Sequence, residues 1–177
     1  MLTTQTLATP VGPMQAVFSS AGLCMLEFAH SQRCAPQLAA VLRAKRLGAN
    51  DLHEQASPAS RALALELEQY FAGERLAFTQ PLDIVGTEFQ QSVWQALLHI
   101  PYGETWSYAQ QARYLGRESA VRAVANANGQ NKIAIVIPCH RVIGSNGTLT
   151  GFGGGLDAKR LLLNLERQAT GEQPLFS

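Results

Sequence analysis

Ile137-Pro-Cys-His-Arg-Val142 sets a thiol and an imidazole side by side behind a proline. A free thiol, with a pKa of about 8.5, is only a few per cent thiolate at neutral pH, and the thiolate is the nucleophile. An imidazole next door is therefore chemically suggestive. The apolar run at 133–137 predicts a short buried strand ending at Pro138. Pro138 fixes its own φ and pushes Ile137 into an extended conformation, so the chain must change direction near Cys139. Consecutive strand residues point to opposite faces, so His140 can serve Cys139 only if the backbone turns there or a water bridges them. The plain alternative is a cysteine packed beside a strand. A proline before it and His-Arg after it weigh against that, because an apolar core has little use for two polar neighbours.

The elements that must hold this segment come from a 177-residue chain that is 46% apolar and 15% charged. That is enough for one large domain or two small ones, and too apolar for a disordered chain. No run approaches the ~18 apolar residues of a membrane helix. The opening residues lack the basic head and apolar stretch of a secretory signal. Three cysteines argue against a disulfide framework and fit a reducing compartment, so a cytoplasmic location is expected. The net charge of +1 by itself predicts no nucleic-acid partner, but residues 105–132 hold four basic residues against one acidic. A phosphate-contacting face needs such a patch.

Residues 2–28 read as two or three short strands with a hairpin connection at 20–22, and 36–46 has helical spacing. Ser57 followed by Pro58 is a helix start, with the helix running to Phe71 and stopped at Gly73. Residues 78–85 predict an edge strand interrupted by Pro81. Cys24, His30, Cys34 and His53 match no usual zinc spacing. From Phe89 a helix is expected to bury Phe89, Val93, Trp94, Leu97 and Leu98. Two short helices follow, 108–115 capped by Ser107 and a second from Ser119 to about Asn128, the pattern of a helix-turn-helix. The second is nearly bare, with Ala120, Ala123, Asn126 and Ala127 around a single long side chain, Arg122. Such a surface suits a narrow groove with one inserted wedge, and equally suits alanine packing with a solvated arginine. Six glycines in the twelve residues 144–155 suit close approach of backbone to a ligand, or flexibility. The last helix, from Leu156, is expected to bury Leu161, Leu162 and Leu165 and to carry a half-buried Glu166 with a specific partner.

Taken together, IPCHRVIG, GETWSY, AVRAVANANGQN and LTGFGGG…KRLLLNLE resemble the O6-alkylguanine-DNA alkyltransferases, closely over residues 86–166 and loosely before them. The resemblance implies an α/β (α+β) fold. Residues 1–85 would form a small ribonuclease-H-like α/β domain. Residues 86–177 would form a mainly helical, winged-helix-like domain with a helix-turn-helix, binding DNA and accepting the alkyl group. It makes Cys139 the alkyl acceptor, His140 the base that reaches it through a water, Glu166 the carboxylate holding that histidine, and Asn131 the brace of the cysteine segment. Arg122 becomes the finger filling the gap left by a flipped nucleotide, and Tyr108 the tyrosine that helps rotate the base and protonates it. Ala123, Ala127, Arg117 and Ser145 fall on the DNA side, and Val142, Gly153, Phe152 and Ala134 around the base, with Gly154 nearby. Phe152 stands where many members have tyrosine, and Leu165 where several have histidine. No metal or cofactor is implied, and no membrane. The implied partner is double-stranded DNA carrying alkylated bases, entered by the minor groove, with the protein a monomer. A thioether does not hydrolyse, so each molecule would act once. The rival readings are a multiple-turnover cysteine hydrolase, whose local signatures are absent, and a binder that flags alkylated bases without repairing them, whose relatives lack the cysteine.

Overall fold

The computed structural model describes residues 1–174 and 176, and the chain divides into two units, residues 1–85 and 86–177. In the first unit β1 (Leu2–Leu7), β2 (Met14–Phe18), β3 (Leu23–Phe28) and β4 (Leu52–Glu54) form one sheet in the order β3-β2-β1-β4. The first three strands are an antiparallel meander, and β4 returns parallel to β1. Helices α1 (Cys34–Ala44) and α2 (Pro58–Phe71) complete the layer, with Val41 of α1 buried among Leu2, Val17 and Met25 of the sheet. Ser57 caps α2, its hydroxyl accepting from Ser60 N, with Pro58 at the first helical position. Residues 78–85 do not form the expected strand. A single parallel bridge, Leu23 to Leu82, is made, with Pro81 unable to donate to a ladder. The close approach is possible because residue 22 is glycine at φ 151, where a Cβ would meet the Pro81 carbonyl oxygen at 2.3 Å. Strand β4, three residues with two exposed, carries no alternation by which a sequence reading could have found it.

The second unit runs α3 (Glu88–Leu97), β5 (Trp106–Ser107), α4 (Tyr108–Tyr114), α5 (Val121–Gly129), β6 (Val142–Ile143) and α6 (Leu156–Ala169). Thr87 and Ser107 cap α3 and α4 through reciprocal bonds with Gln90 and Gln110. Trp94 is buried and its indole N–H donates to Ala127 O at 2.8 Å, fastening α3 to α5. Between α4 and α5 the buried Gln111 and Asn128 exchange two amide bonds, at 2.9 and 2.6 Å, which fix the helix-turn-helix. Phe89 is only half-buried, Leu98 is exposed, and on α6 Leu161 is exposed while Leu163 is inside. Each helix is rotated slightly from its expected face.

The run at 133–137 is buried but is not a strand. Ile135 has φ 70, and Val136 N and Ile137 N bond back to Ala134 O and Ile133 O. A β-branched residue in that region is strained and persists only where its surroundings over-determine it. No helix among the described residues is long and apolar enough to cross a membrane.

Asn128→Leu removes both short bonds of the fully buried Gln111 amide, leaving its oxygen unpaired and its Nε2 only the 3.4 Å bond to Val93 O. A loss of about 1–3 kcal/mol is expected, read as a lower urea midpoint at unchanged slope.

Candidate active site

The parallel pairing of β5 with β6 sets Trp106 beside Val142 and Ser107 beside Ile143. Tyr108, the first residue of α4, is thereby placed next to the chain that has just left the cysteine. Cys139 itself opens a 3-10 turn, Cys139–Arg141, and the change of direction that Pro138 implied takes this form. The turn sends successive side chains to different surroundings. Cys139 is half-buried, whereas His140 and Arg141 are buried.

Asn131 organises the segment from the side. Its amide Nδ2 donates to Ile137 O at 2.9 Å and to Cys139 Sγ at 3.2 Å, and its Oδ1 accepts from Ile133 N at 3.0 Å. One side chain thus spans the strained loop and ends on the sulfur. An N–H directed at sulfur favours the anion over the thiol.

His140 is 0% exposed and faces Glu166, with Nε2 to Oε2 at 2.7 Å. An ionised carboxylate only accepts, so Nε2 carries the ring proton and Nδ1 holds the lone pair in the neutral imidazole. Nδ1 is buried and has no hydrogen-bond partner among the described residues. Arg141 grips the same carboxylate, Nε to Oε1 at 2.7 Å and Nη2 to Oε2 at 3.1 Å, and Nη1 donates to Ile100 O at 2.8 Å. The half-buried Glu166 expected from sequence is in fact fully enclosed, with Arg141 as well as His140 among its partners.

Burial pushes His140 below the ordinary imidazole value, against the pull of Glu166 and helped by the charges of Arg141 and Lys159. Burial works to raise Glu166, but His140 and then Arg141 outweigh it and hold the carboxyl far below the usual range. Glu166 therefore stays ionised while His140 is neutral.

Above the turn, Tyr108 Oη and Thr150 Oγ1 are 2.6 Å apart, and the Phe152 ring stands edge-on to His140 with centroids 6.5 Å apart. Val142 and Ala134 are buried, Gly153 and Gly154 half-buried, and Ser145 exposed on the glycine-rich loop. On α5, Arg122, Ala123 and Asn126 are exposed, and Arg117 lies over the Phe89 ring. Ala127, expected on the DNA side, is instead 3% exposed beneath Trp94 and belongs to the packed face, not the open one. Cys24 and Cys34 lie in the first unit, against Asp83 and Gln15, and among the described residues no three metal-ligating side chains converge.

Arg141, Thr150 and Lys159 were not singled out from the sequence. Lys159 had a signal: it is seven residues before Glu166 on the buried stripe of α6, where a lysine is out of place.

These shifts fix the sign of the pH dependence. Below about 6.5 the unfolded chain takes up a proton that buried His140 refuses, so stability falls as pH drops from there. Glu166 contributes stability above about 4.3 that is lost as pH falls further. Thermal melts should therefore show two acid losses. His140→Gln should reduce the first and Glu166→Gln the second.

Residues 2–84 match the ribonuclease-like domain, and residues 88–168 the DNA binding domain, of 6-O-methylguanine DNA methyltransferase. The methylated-DNA–protein-cysteine methyltransferase of Mycobacterium tuberculosis H37Rv is 56% identical over 112 residues, 63% of this chain and 68% of that one. Its counterpart in Methanosarcina acetivorans is 42% identical over 158 residues, 89% and 94% of the two chains. The crystal structure of Mycobacterium tuberculosis OGT in complex with DNA superposes with a TM-score of 0.81 at 39% identity, covering 98% of this chain and 96% of that one. With both halves matched and a relative this similar along nearly its whole length, the chain belongs to the methylated-DNA–protein-cysteine methyltransferase family.

Proposed function

We propose that this protein repairs double-stranded DNA by moving the alkyl group of O6-alkylguanine, and of O4-alkylthymine, onto Cys139. The observation that carries the reading is a half-exposed sulfur receiving the Asn131 N–H, beside a wholly buried His140–Glu166 pair. The target oxygen lies inside a base pair, so the nucleotide leaves the stack first, at a cost of a few kcal/mol that is smaller for a weakened pair. Arg122 enters the gap from α5. The small exposed residues around it, Ala123 and Asn126, suit close approach to a minor groove, and Arg117 and Ser145 lie toward the backbone.

The thiolate forms when the Cys139 proton passes through a bridging water to His140 Nδ1, with Glu166 steadying the imidazolium. The thiolate pair attacks the alkyl carbon, a C–S bond forms and the C–O6 bond breaks. The electrons left on guanine are neutralised by a proton from Tyr108. Val142, Gly153, Phe152 and Ala134 surround the base, Phe152 offering a ring face without a hydroxyl. Nothing in this chemistry regenerates the thiol, so one protein repairs one lesion. It acts as a monomer in a reducing compartment, the cytoplasm, with residues 86–177 carrying the chemistry and residues 1–85 a structural role.

Mixed with O6-methylguanine DNA, the protein should gain the mass of one methylene, mapped by peptide to Cys139, in a stoichiometric burst. Cys139→Ala should bind DNA and gain nothing; mass gain in that variant refutes the assignment. Arg122→Ala should slow duplex repair by about tenfold, the effect of withdrawing ~1.4 kcal/mol from the flipped state. The free base analogue should react nearly as before, and equal losses on both substrates would remove the wedge role.

A further inference from the structure

Lys159 is the one lysine of the second unit whose ammonium is enclosed; the residue is 1% exposed. It projects from the first turn of α6, and its Nζ donates to Val142 O at 2.7 Å and Thr150 O at 3.0 Å. Those carbonyls belong to β6, just after the cysteine turn, and to the glycine-rich loop whose Thr150 hydroxyl meets Tyr108. Two carbonyl dipoles solvate an ammonium in part. They do not cancel its charge, and a buried charge without a counter-charge is costly.

Among the described residues, the groups on the elements packed against it leave one candidate for that counter-charge. Glu166, further along α6, is already gripped by Arg141 and His140. Asp157 is 98% exposed and pairs with Arg160 at the surface. Residues 144–155 contain no ionisable side chain, and α4 contributes Tyr108, which meets Thr150. From the 3-10 turn come His140 and Arg141, which offer no negative charge, and Cys139. Among the described residues Lys159 forms no ion pair with a carboxylate. Burial pushes its ammonium down to about 8, and the sulfur of Cys139 is the group that pushes it back up. The same cation works against protonation of His140.

We propose that Lys159 is the counter-ion of the Cys139 thiolate, a positioning residue that keeps the sulfur anionic in the resting protein and ties the glycine-rich loop to β6 beside it. The inference deepens the alkyl-acceptor reading and rests on it for its meaning. It also shifts the work of His140: the cation stabilises the anion, and the imidazole serves as a relay that gives its proton up readily. No DNA is needed for the effect, which belongs to the folded chain.

The test is the rate of carbamidomethylation of Cys139 by iodoacetamide from pH 5 to 10, read by peptide mass spectrometry so that Cys24 and Cys34 are scored separately. In the wild type the Cys139 midpoint should lie below the ~8.5 of a free thiol. In Lys159→Met it should move up by about one unit, with about tenfold slower labelling at pH 7. A merely structural lysine would change labelling by the same factor at every pH, and an unmoved midpoint overturns the proposal. Should Lys159→Met not fold, the wild-type profile decides alone, since a midpoint at or above ~8.5 leaves no counter-ion to find. A lowered midpoint in a protein that gains no mass from alkylated DNA would overturn the repair reading and leave the ion pair standing. A normal midpoint with intact repair would do the reverse.

Discussion

The Glu166 carboxylate is the constraint on which the second unit depends. It is 1% exposed, and its two oxygens take a bidentate arginine and an imidazole N–H. A carboxylate buried at this depth is tolerable only when fully paired, and removal of one partner of a buried pair costs about 3–5 kcal/mol. Both partners lie in the three-residue turn that begins with Cys139, so the charge of α6 dictates how that turn is wound. Arg141 extends the hold to Ile100 O beyond α3. The sulfur is oriented as a consequence: with residues 140 and 141 drawn inward, residue 139 is left at the edge, where Asn131 meets it.

Two kinds of polar contact thus act on one short segment. From the α6 side come charges, Glu166 on the turn and Lys159 on β6. From the α5 side comes a neutral amide, Asn131, which bonds backbone at 133 and 137 and then the sulfur. An all-apolar environment could pack the segment but could not specify which residue of Cys-His-Arg stays accessible. Directional bonds can, because each buried polar atom restricts the backbone conformations that satisfy it. The left-handed Ile135 fits this account, being the strained residue that the Asn131 bonds on either side of it hold in place.

Much of this is legible in the sequence. The order of elements, the caps at Ser57 and Ser107, the helix-turn-helix and the inward Trp94 follow from periodicity and capping chemistry, which are local. The division near residue 85 follows instead from the family resemblance. What escaped was non-local. An apolar run of five reads as a strand because period and burial are visible in sequence, whereas the turn that replaces it is imposed by Asn131 and by the Cys139–Arg141 turn. Residues 78–85 failed as a strand for want of donors at Pro81. Ala127 read as bare surface because alanine has no side chain with which to announce a side, and only the Trp94 bond to its carbonyl shows that it is underneath. The Arg141 side chain has no role legible in sequence, because its need for a carboxylate shows only once the turn that carries it is buried against Glu166.

A site that acts once is under different physical demands from one that turns over. A catalyst has to bind its product weakly and restore its own protonation states, which limits how strongly it can favour the reactive form of a nucleophile. A stoichiometric acceptor has no such return step. It can bury a carboxylate and an ammonium within one small unit, hold an imidazole neutral between them, and spend backbone strain on aiming a single sulfur. The arrangement of Glu166, Arg141, Lys159 and Asn131 fits that demand.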